Sequence, residues 1–149
     1  MRAVVQIVRD ASVEAGGKIS GKIDRGLLVY LGVARGDAPS DADYLAEKTA
    51  ALRIFDDGEN KMNLSVRDVG GGVLVVSQFT LLADARKGRR PSYSNAADPA
   101  EAEPLYEYFM ERIRAQGLSC EGGIFRAHML VRYTNDGPVT VLLDSKKQF

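Results

Sequence analysis

Two stretches of this chain carry residue types and spacings suited to chemistry: Ser77-Gln78-Phe79-Thr80-Leu81 and Asn135-Asp136-Gly137-Pro138-Val139-Thr140. The first sets two hydroxyls and a primary amide at the end of the apolar run Val73-Leu74-Val75-Val76. Thr80 can act as a nucleophile or as a positioning hydroxyl. Backbone N–H groups around Gln78 and Phe79 can stabilise an oxyanion, which requires preorganised donors rather than titratable groups. Taken alone, Ser77 and Thr80 are also ordinary strand hydroxyls. The second stretch places Gly137-Pro138 between strand-like runs. Gly137 reaches torsions closed to other residues; Pro138 fixes its own φ and donates no N–H. The bond joining them can be cis at a cost of about 0.5–1 kcal/mol. Such a segment aims main-chain carbonyls in a set direction, although most Gly-Pro pairs only make turns.

The remaining chemistry is sparse. Arg86-Lys87-Gly88-Arg89-Arg90 puts four cations in five residues. That pattern reads either as a solvated loop or as a local anion-binding patch. His128 is the single histidine, so a multi-histidine metal site is excluded, and no HExxH motif or carboxylate cluster accompanies it. A Ser-His-Asp triad with His128 as base is arithmetically open, but no nucleophile elbow supports it. His128 reads as a strand residue with a structural or surface role. Cys120 is the only cysteine, which leaves no internal disulfide and no thiolate cluster. Asp56-Asp57-Gly58-Glu59-Asn60 has the composition of a cation loop without the ligand spacing of one, and reads as a solvated turn. Gly70-Gly71-Gly72 precedes a strand rather than a helix and lacks Gly-Lys-Ser/Thr, so it reads as a hairpin turn and not a phosphate loop.

The elements that must hold these residues are mostly strands. Residues 2–9 alternate, and Glu14 to Lys18 reads as a turn, predicting a hairpin over 4–23. Leu27 to Val33 is continuously apolar, as in a strand buried on both faces. A helix is expected from Ser40 as cap to about Arg53, with Asp41 at its positive end and Tyr44, Leu45, Lys48 and Leu52 on one stripe. A second is expected over 99–115, capped by Asp98, begun by Pro99 and ended by Gly117. Its buried stripe is Ala102, Leu105, Tyr106, Phe109 and Ile113, and Pro104 interrupts it. Three strand runs close the chain: Leu118 to Phe125, Ala127 to Tyr133 and Val139 to Leu143. The expectation is α+β: a single domain over 1–149 with two main helices and a mostly antiparallel, barrel-like β-sheet.

Composition bounds the function. The chain has 149 residues, 45% hydrophobic and 27% charged, the balance of a soluble globular protein. Lys plus Arg equals Asp plus Glu at 20 each, which argues against general nucleic-acid coating but not against a local basic patch. No apolar run approaches the roughly 20 residues that span a bilayer, and the N-terminus does not read as a signal peptide. A cytoplasmic location is expected.

With these residues in view, the chain resembles the D-aminoacyl-tRNA deacylase family. The resemblance runs through Met1-Arg2-Ala3-Val4-Val5-Gln6, Gly26-Leu27-Leu28-Val29, Leu52-Arg53-Ile54-Phe55 and Lys61-Met62-Asn63-Leu64-Ser65-Val66. It continues through Ser77 to Leu81 and Lys87-Gly88-Arg89-Arg90-Pro91-Ser92, and ends at Asn135 to Thr140. It spans essentially the whole chain in order, and the joint presence of SQFTL and NxGPxT is very specific. Arg126 departs from it, standing where many relatives carry glycine.

The resemblance implies a homodimer with active sites at the interface. Ser77, Gln78, Phe79 and Thr80 would line the pocket, and Gly137-Pro138 would enter from the partner subunit as a cis Gly-Pro motif. The reaction implied is hydrolysis of the ester joining a D-amino acid to the tRNA 3′ adenosine, with glycine mischarged on tRNA a second substrate. No metal or organic cofactor and no membrane are implied. Lys87, Arg89 and Arg90 would contact phosphates of the acceptor end. Attack by water oriented by the tRNA 2′-hydroxyl is favoured over Thr80 as a covalent nucleophile, because no base stands near Thr80 in sequence. Two rival readings are a non-catalytic RNA-binding module and a different metal-independent esterase using His128 as base.

Overall fold

The computed structural model describes residues 1–149. Two long strands dominate it. The alternating N-terminal run forms β1 (Arg2–Ala15), which turns at Gly16-Gly17 and returns as β2 (Lys18–Gly32). Both glycines hold positive φ, the left-handed geometry that a tight hairpin turn requires. The chain then makes helix α1 (Pro39–Ala51), a small hairpin of β3 (Phe55–Asp56) and β4 (Met62–Leu64), and β5 (Gly72–Ser77). A 3-10 turn (Phe79–Leu82), helix α2 (Pro99–Ala115), β6 (Cys120–Gly122) and β7 (Met129–Asp144) complete it.

The main sheet has five strands in the order β6-β5-β2-β1-β7. The expected α+β class and two helices are present. The sheet is mixed: β1 pairs antiparallel with β2 and β7, whereas β2–β5 and β5–β6 are parallel. It is also open, with β6 and β7 at its edges, so it is barrel-like only loosely. The likeness arises because the β1–β2 hairpin bends. Asp10 takes a φ of 52° and the β1–β7 register slips between Arg9 and Ser12. The hairpin tip therefore folds over one face, where Ala11, Val13 and Ile23 bury Leu28, Leu74 and Val76. The other face packs against both helices, bringing Val5, Val29 and Leu31 into one core with Leu45 and Phe109.

Several local expectations are corrected. Gly70-Gly71-Gly72 is a turn but not a hairpin turn, because it ends the crossover that brings β5 in parallel with β2. Ser40 is not the cap of α1. The helix starts at Pro39, and the side chain of Asp41 reaches back to accept the Ala38 N–H at 2.9 Å. The buried face of α1 is made of Ala42, Leu45, Ala46, Thr49 and Ala50, while Lys48 is exposed beside the Tyr44 ring. Burial opposes ionisation of Asp41, yet hydrogen bonds from Lys146, Ser145 and Ala38 outweigh it and hold the carboxyl at about 2. Helix α2 has the expected bounds and runs on through Pro104, with Met110 joining its buried stripe. The three expected C-terminal strands become two, and the second is one long strand that carries Gly137-Pro138 in a bulge.

Candidate active site

The site begins where β5 ends. Ser77 pairs with Leu31, and the Gln78 N–H still donates to the Leu31 carbonyl at 2.8 Å. Gln78 then leaves strand geometry and the chain coils into the 3-10 turn. The last apolar residues of β5 lock this junction into the core, so the polar residues after it are held by a fixed strand. The Gln78 N–H, named among the oxyanion donors from sequence, is spent on the sheet. The N–H groups of Phe79 and Thr80 head the short turn instead, where a helical turn supplies no internal acceptor.

A cavity of about 610 Å³ opens at this junction, and Ser77, Gln78 and Phe79 line it. Thr80 does not. It is half-buried beside the cavity, and its hydroxyl oxygen accepts a hydrogen bond from Gln78 Nε2. No carboxylate or histidine is hydrogen-bonded to Thr80, so the fold supplies it no base. The opposite wall comes from the start of α2, through Asp98, Ala102 and Tyr106, and from the loop between β6 and β7. The Tyr106 hydroxyl donates to the Val75 carbonyl at 2.9 Å, with the Gly123 carbonyl 3.4 Å away, tying the two walls together. Burial raises the pKa of this phenol well above its usual value, so it stays a protonated donor. At the rim, Phe79 and Tyr93 meet edge to face with centroids 5.1 Å apart, and both are exposed.

His128 lies in the loop just before β7 rather than on a strand. It is exposed and lines the same cavity as Ser77, but no hydrogen bond joins it to a hydroxyl or carboxylate, so no triad is assembled. Arg126, two residues earlier, also faces this cavity and holds a φ of 62°. Cys120 is buried, and desolvation pushes its thiol up to about 12, which leaves it inert. No three His, Cys, Asp or Glu side chains cluster to hold a metal ion.

Gly137-Pro138 is elsewhere. On edge strand β7, Thr140 pairs with Gln6 and Asn135 with Val8, so residues 136–139 bulge out opposite Ile7 alone. Asn135 closes the base of this bulge: its Nδ2 donates to the carbonyls of Ile7 at 2.9 Å and Val139 at 3.1 Å. Gln6 Nε2 donates to the Thr140 hydroxyl at 3.0 Å, and Arg9 pairs with Asp136 at 2.6 Å. The Gly137–Pro138 peptide is cis, and both residues are exposed. They do not line the cavity of their own chain. The two motifs are therefore not brought together within one copy.

The basic segment is a closed loop. Asp84 and Ser92 exchange backbone hydrogen bonds of 2.8 Å at its neck. Arg86 is held by Asp84 through contacts of 2.9 and 2.6 Å, and this partner holds the Asp84 carboxyl well below the usual range. Lys87, Arg89 and Arg90 are exposed and make no ion pair. Lys87 and Arg90 line a polar hollow of about 510 Å³. The sequence marks Tyr106 only as a buried helix residue and Phe125 only as a strand end, and gives Arg35 and Tyr93 no part in a site, yet the fold brings all four to the cavity from separate segments. No local signal in the sequence places them there.

Comparison with known proteins gives a consistent result. A family model described as D-Tyr-tRNA(Tyr) deacylase matches residues 4–144. The D-aminoacyl-tRNA deacylase of Koribacter versatilis (strain Ellin345) is 64% identical over 149 residues, covering 100% of both chains. That of Thermosipho melanesiensis (strain DSM 12029 / CIP 104789 / BI429) is 59% identical over 150 residues, again covering 100% of both. Among solved structures, one titled c-Myc DNA Unwinding Element Binding Protein matches with a TM-score of 0.90 at 38% identity, covering 97% of this chain and 98% of that one. A second, described as a probable eukaryotic D-amino acid tRNA deacylase, has a TM-score of 0.79 at 18% identity, covering 95% and 97%, and shows likeness of fold.

Proposed function

The chain belongs to the D-Tyr-tRNA(Tyr) deacylase family, and from that premise we propose that the cavity at the end of β5 is where it hydrolyses the ester bond of D-aminoacyl-tRNA. The products are free D-amino acid and tRNA; glycine mischarged on tRNA is a second substrate. The observation that carries the reading is the convergence of Ser77, Gln78 and Phe79 on one cavity at the end of a rigid strand. Residues 1–149 act as one domain, in the cytoplasm, where aminoacyl-tRNA is made and used.

The active unit is a homodimer. Two features support this: Gly137-Pro138 is exposed on an edge strand away from its own cavity, and β7 presents Leu130, Tyr133 and Leu142 to solvent. A second copy supplies the Gly137 and Pro138 carbonyls to the cavity, where they accept hydrogen bonds from the substrate α-ammonium. With the ammonium and the ester both fixed, one direction remains for the side chain. A D-residue projects outward, whereas an L-residue drives its Cβ into backbone. Selection by exclusion accepts many side chains and rejects one hand.

Water attacks the ester carbonyl carbon, oriented by the 2′-hydroxyl of the terminal adenosine. The Phe79 and Thr80 N–H groups receive the developing oxyanion. The 3′-oxygen leaves with a proton. Thr80 positions the Gln78 amide through their hydrogen bond, and the absence of a base bonded to Thr80 favours this route over covalent attack. The exposed Phe79–Tyr93 pair offers a surface on which a base can stack.

The test is deacylation of matched D- and L-aminoacyl-tRNA by the purified protein. Turnover of the D-ester with at least a hundredfold preference over L is expected. Equal rates for both hands would end the exclusion argument. No turnover of either would leave an RNA-binding module. Inactivity of His128→Ala with Thr80→Ala unaffected would point to a histidine-based esterase.

Lys87, Arg89 and Arg90 hold the acceptor phosphates. Changing all three to Gln should lower the slope of log affinity against log salt by ~0.7–0.9 for each phosphate no longer neutralised, leaving the D/L ratio unchanged. Arg86→Gln should change the slope little, because Arg86 is already committed to Asp84. Fluorescence titration with tRNA at several salt concentrations measures both. Equal effects from Arg86 and the other three would remove the assignment.

A further inference from the structure

We propose that Arg126 binds the phosphate on the 5′ side of the terminal nucleoside, forming an anion subsite at the mouth of the cavity. This role rests on the cavity being the aminoacyl-end site. Three properties of Arg126 point the same way. The first is its backbone. Arg126 holds a φ of 62°, in the left-handed region that glycine enters freely and an arginine enters at a cost. A residue kept in such a conformation, with its side chain in a cleft, is a candidate for use of that side chain.

The second is its freedom. The residue is exposed and lines the cavity, and no carboxylate of the chain pairs with it. The other cation of the lining, Arg35, is engaged: its Nε donates to the Ala96 carbonyl at 3.2 Å and its Nη2 meets Asp98 at 3.5 Å. Arg126 is therefore the lining guanidinium left to meet a ligand. The third is local charge. Arg35 and Arg126 stand against the single carboxylate Asp98 in the lining, so the wall carries a net positive charge although the whole chain is neutral. A guanidinium presents paired donors that match two phosphate oxygens. The rest of the wall is largely apolar or aromatic, suited to base and sugar but not to a phosphate.

This subsite differs from the Lys87-Arg89-Arg90 loop. It would read the first phosphate inward from the ester, not the acceptor stem. The D-aminoacyl esters of adenosine and of adenosine 5′-phosphate differ only by that group and separate the two. For the unchanged protein, the phosphorylated ester is expected to have the lower KM. In Arg126→Gly, the ratio of its KM to that of the unphosphorylated ester should rise roughly tenfold. Arg126→Lys should recover part of the loss, as a point charge does at a bidentate site. The melting temperature of Arg126→Gly should not fall, because glycine relieves the left-handed φ. An unchanged KM ratio, or an equal KM rise for both esters, overturns the proposal. So does a fall in melting temperature with uniform loss of activity, which would make Arg126 structural. If the unchanged protein hydrolyses neither these esters nor D-aminoacyl-tRNA, the reading of the cavity fails first, and that outcome is distinct from a normal enzyme indifferent to Arg126.

Discussion

Gly137→Ala should lower kcat/KM for D-aminoacyl-tRNA by about a hundredfold and erode the D/L preference, while the melting temperature changes by only a few degrees. Gly137 holds a φ of 115°, outside the range L-residues adopt with ease. A Cβ there would sit 2.8 Å from Val139 Cγ2 and 3.1 Å from the Val139 nitrogen. The Val139 side chain can turn away; its backbone nitrogen cannot. The bulge must shift, and with it the carbonyls of Gly137 and Pro138. A displacement of about 1 Å in a positioning group is enough for a loss of that size. Because Gly137 and Pro138 are themselves exposed on an edge strand and only Val139 of the bulge packs against the core, their shift costs the core little. Single-turnover deacylation of matched D- and L-substrates measures the effect. Full rate with an unchanged D/L ratio would remove backbone recognition as the source of chirality.

Gly26→Ala should have the larger effect on the fold, costing at least about 4 kcal/mol or leaving no folded protein, because it blocks a close backbone approach. Gly26 is buried at the start of the parallel β2–β5 ladder, paired with Gly72. A Cβ would lie 1.9 Å from the Gly72 carbonyl oxygen and 2.7 Å from its nitrogen. Both obstacles are backbone, so no rotamer change relieves them. The φ of 152° adds strain for any L-side chain. Moving β5 would also move Ser77, so any folded remainder should be a poor enzyme. Urea unfolding followed by circular dichroism is the measurement. A variant that unfolds within a few tenths of a kcal/mol of the parent would show that the two strands can separate at no great cost.

What was legible in the sequence was local. Pro99 opens helix α2 and Gly117 stops it, because proline's φ and glycine's freedom act on their own residues. The β1–β2 turn at Gly16-Gly17 was legible for the same reason. Ser40 misled, since a capping side chain is only a candidate: the start of α1 was settled by Pro39 and by the carboxylate of Asp41, itself drawn in by Lys146 near the other end of the chain. Gly70-Gly71-Gly72 was legible as a turn but not as the end of a crossover. Hydrophobic runs do not say which strand pairs with which, or in what direction.

The same division runs through the site. By itself, the sequence determined that two motifs exist, that one ends a core strand and the other carries a rigid Gly-Pro pair, and which family this combination marks. Those properties depend on residue identity and short spacing. Only the tertiary structure decided that Ser77, Gln78 and Phe79 share a cavity with Tyr93, Tyr106 and Arg126, while Thr80 stands beside it and Gly137-Pro138 faces away on an edge strand. It also decided that Arg86 is spent on Asp84 and that Arg126 is not spent on any partner. These are facts of through-space proximity. They are set by strand pairing and core packing between segments far apart in the chain, and no local pattern encodes them.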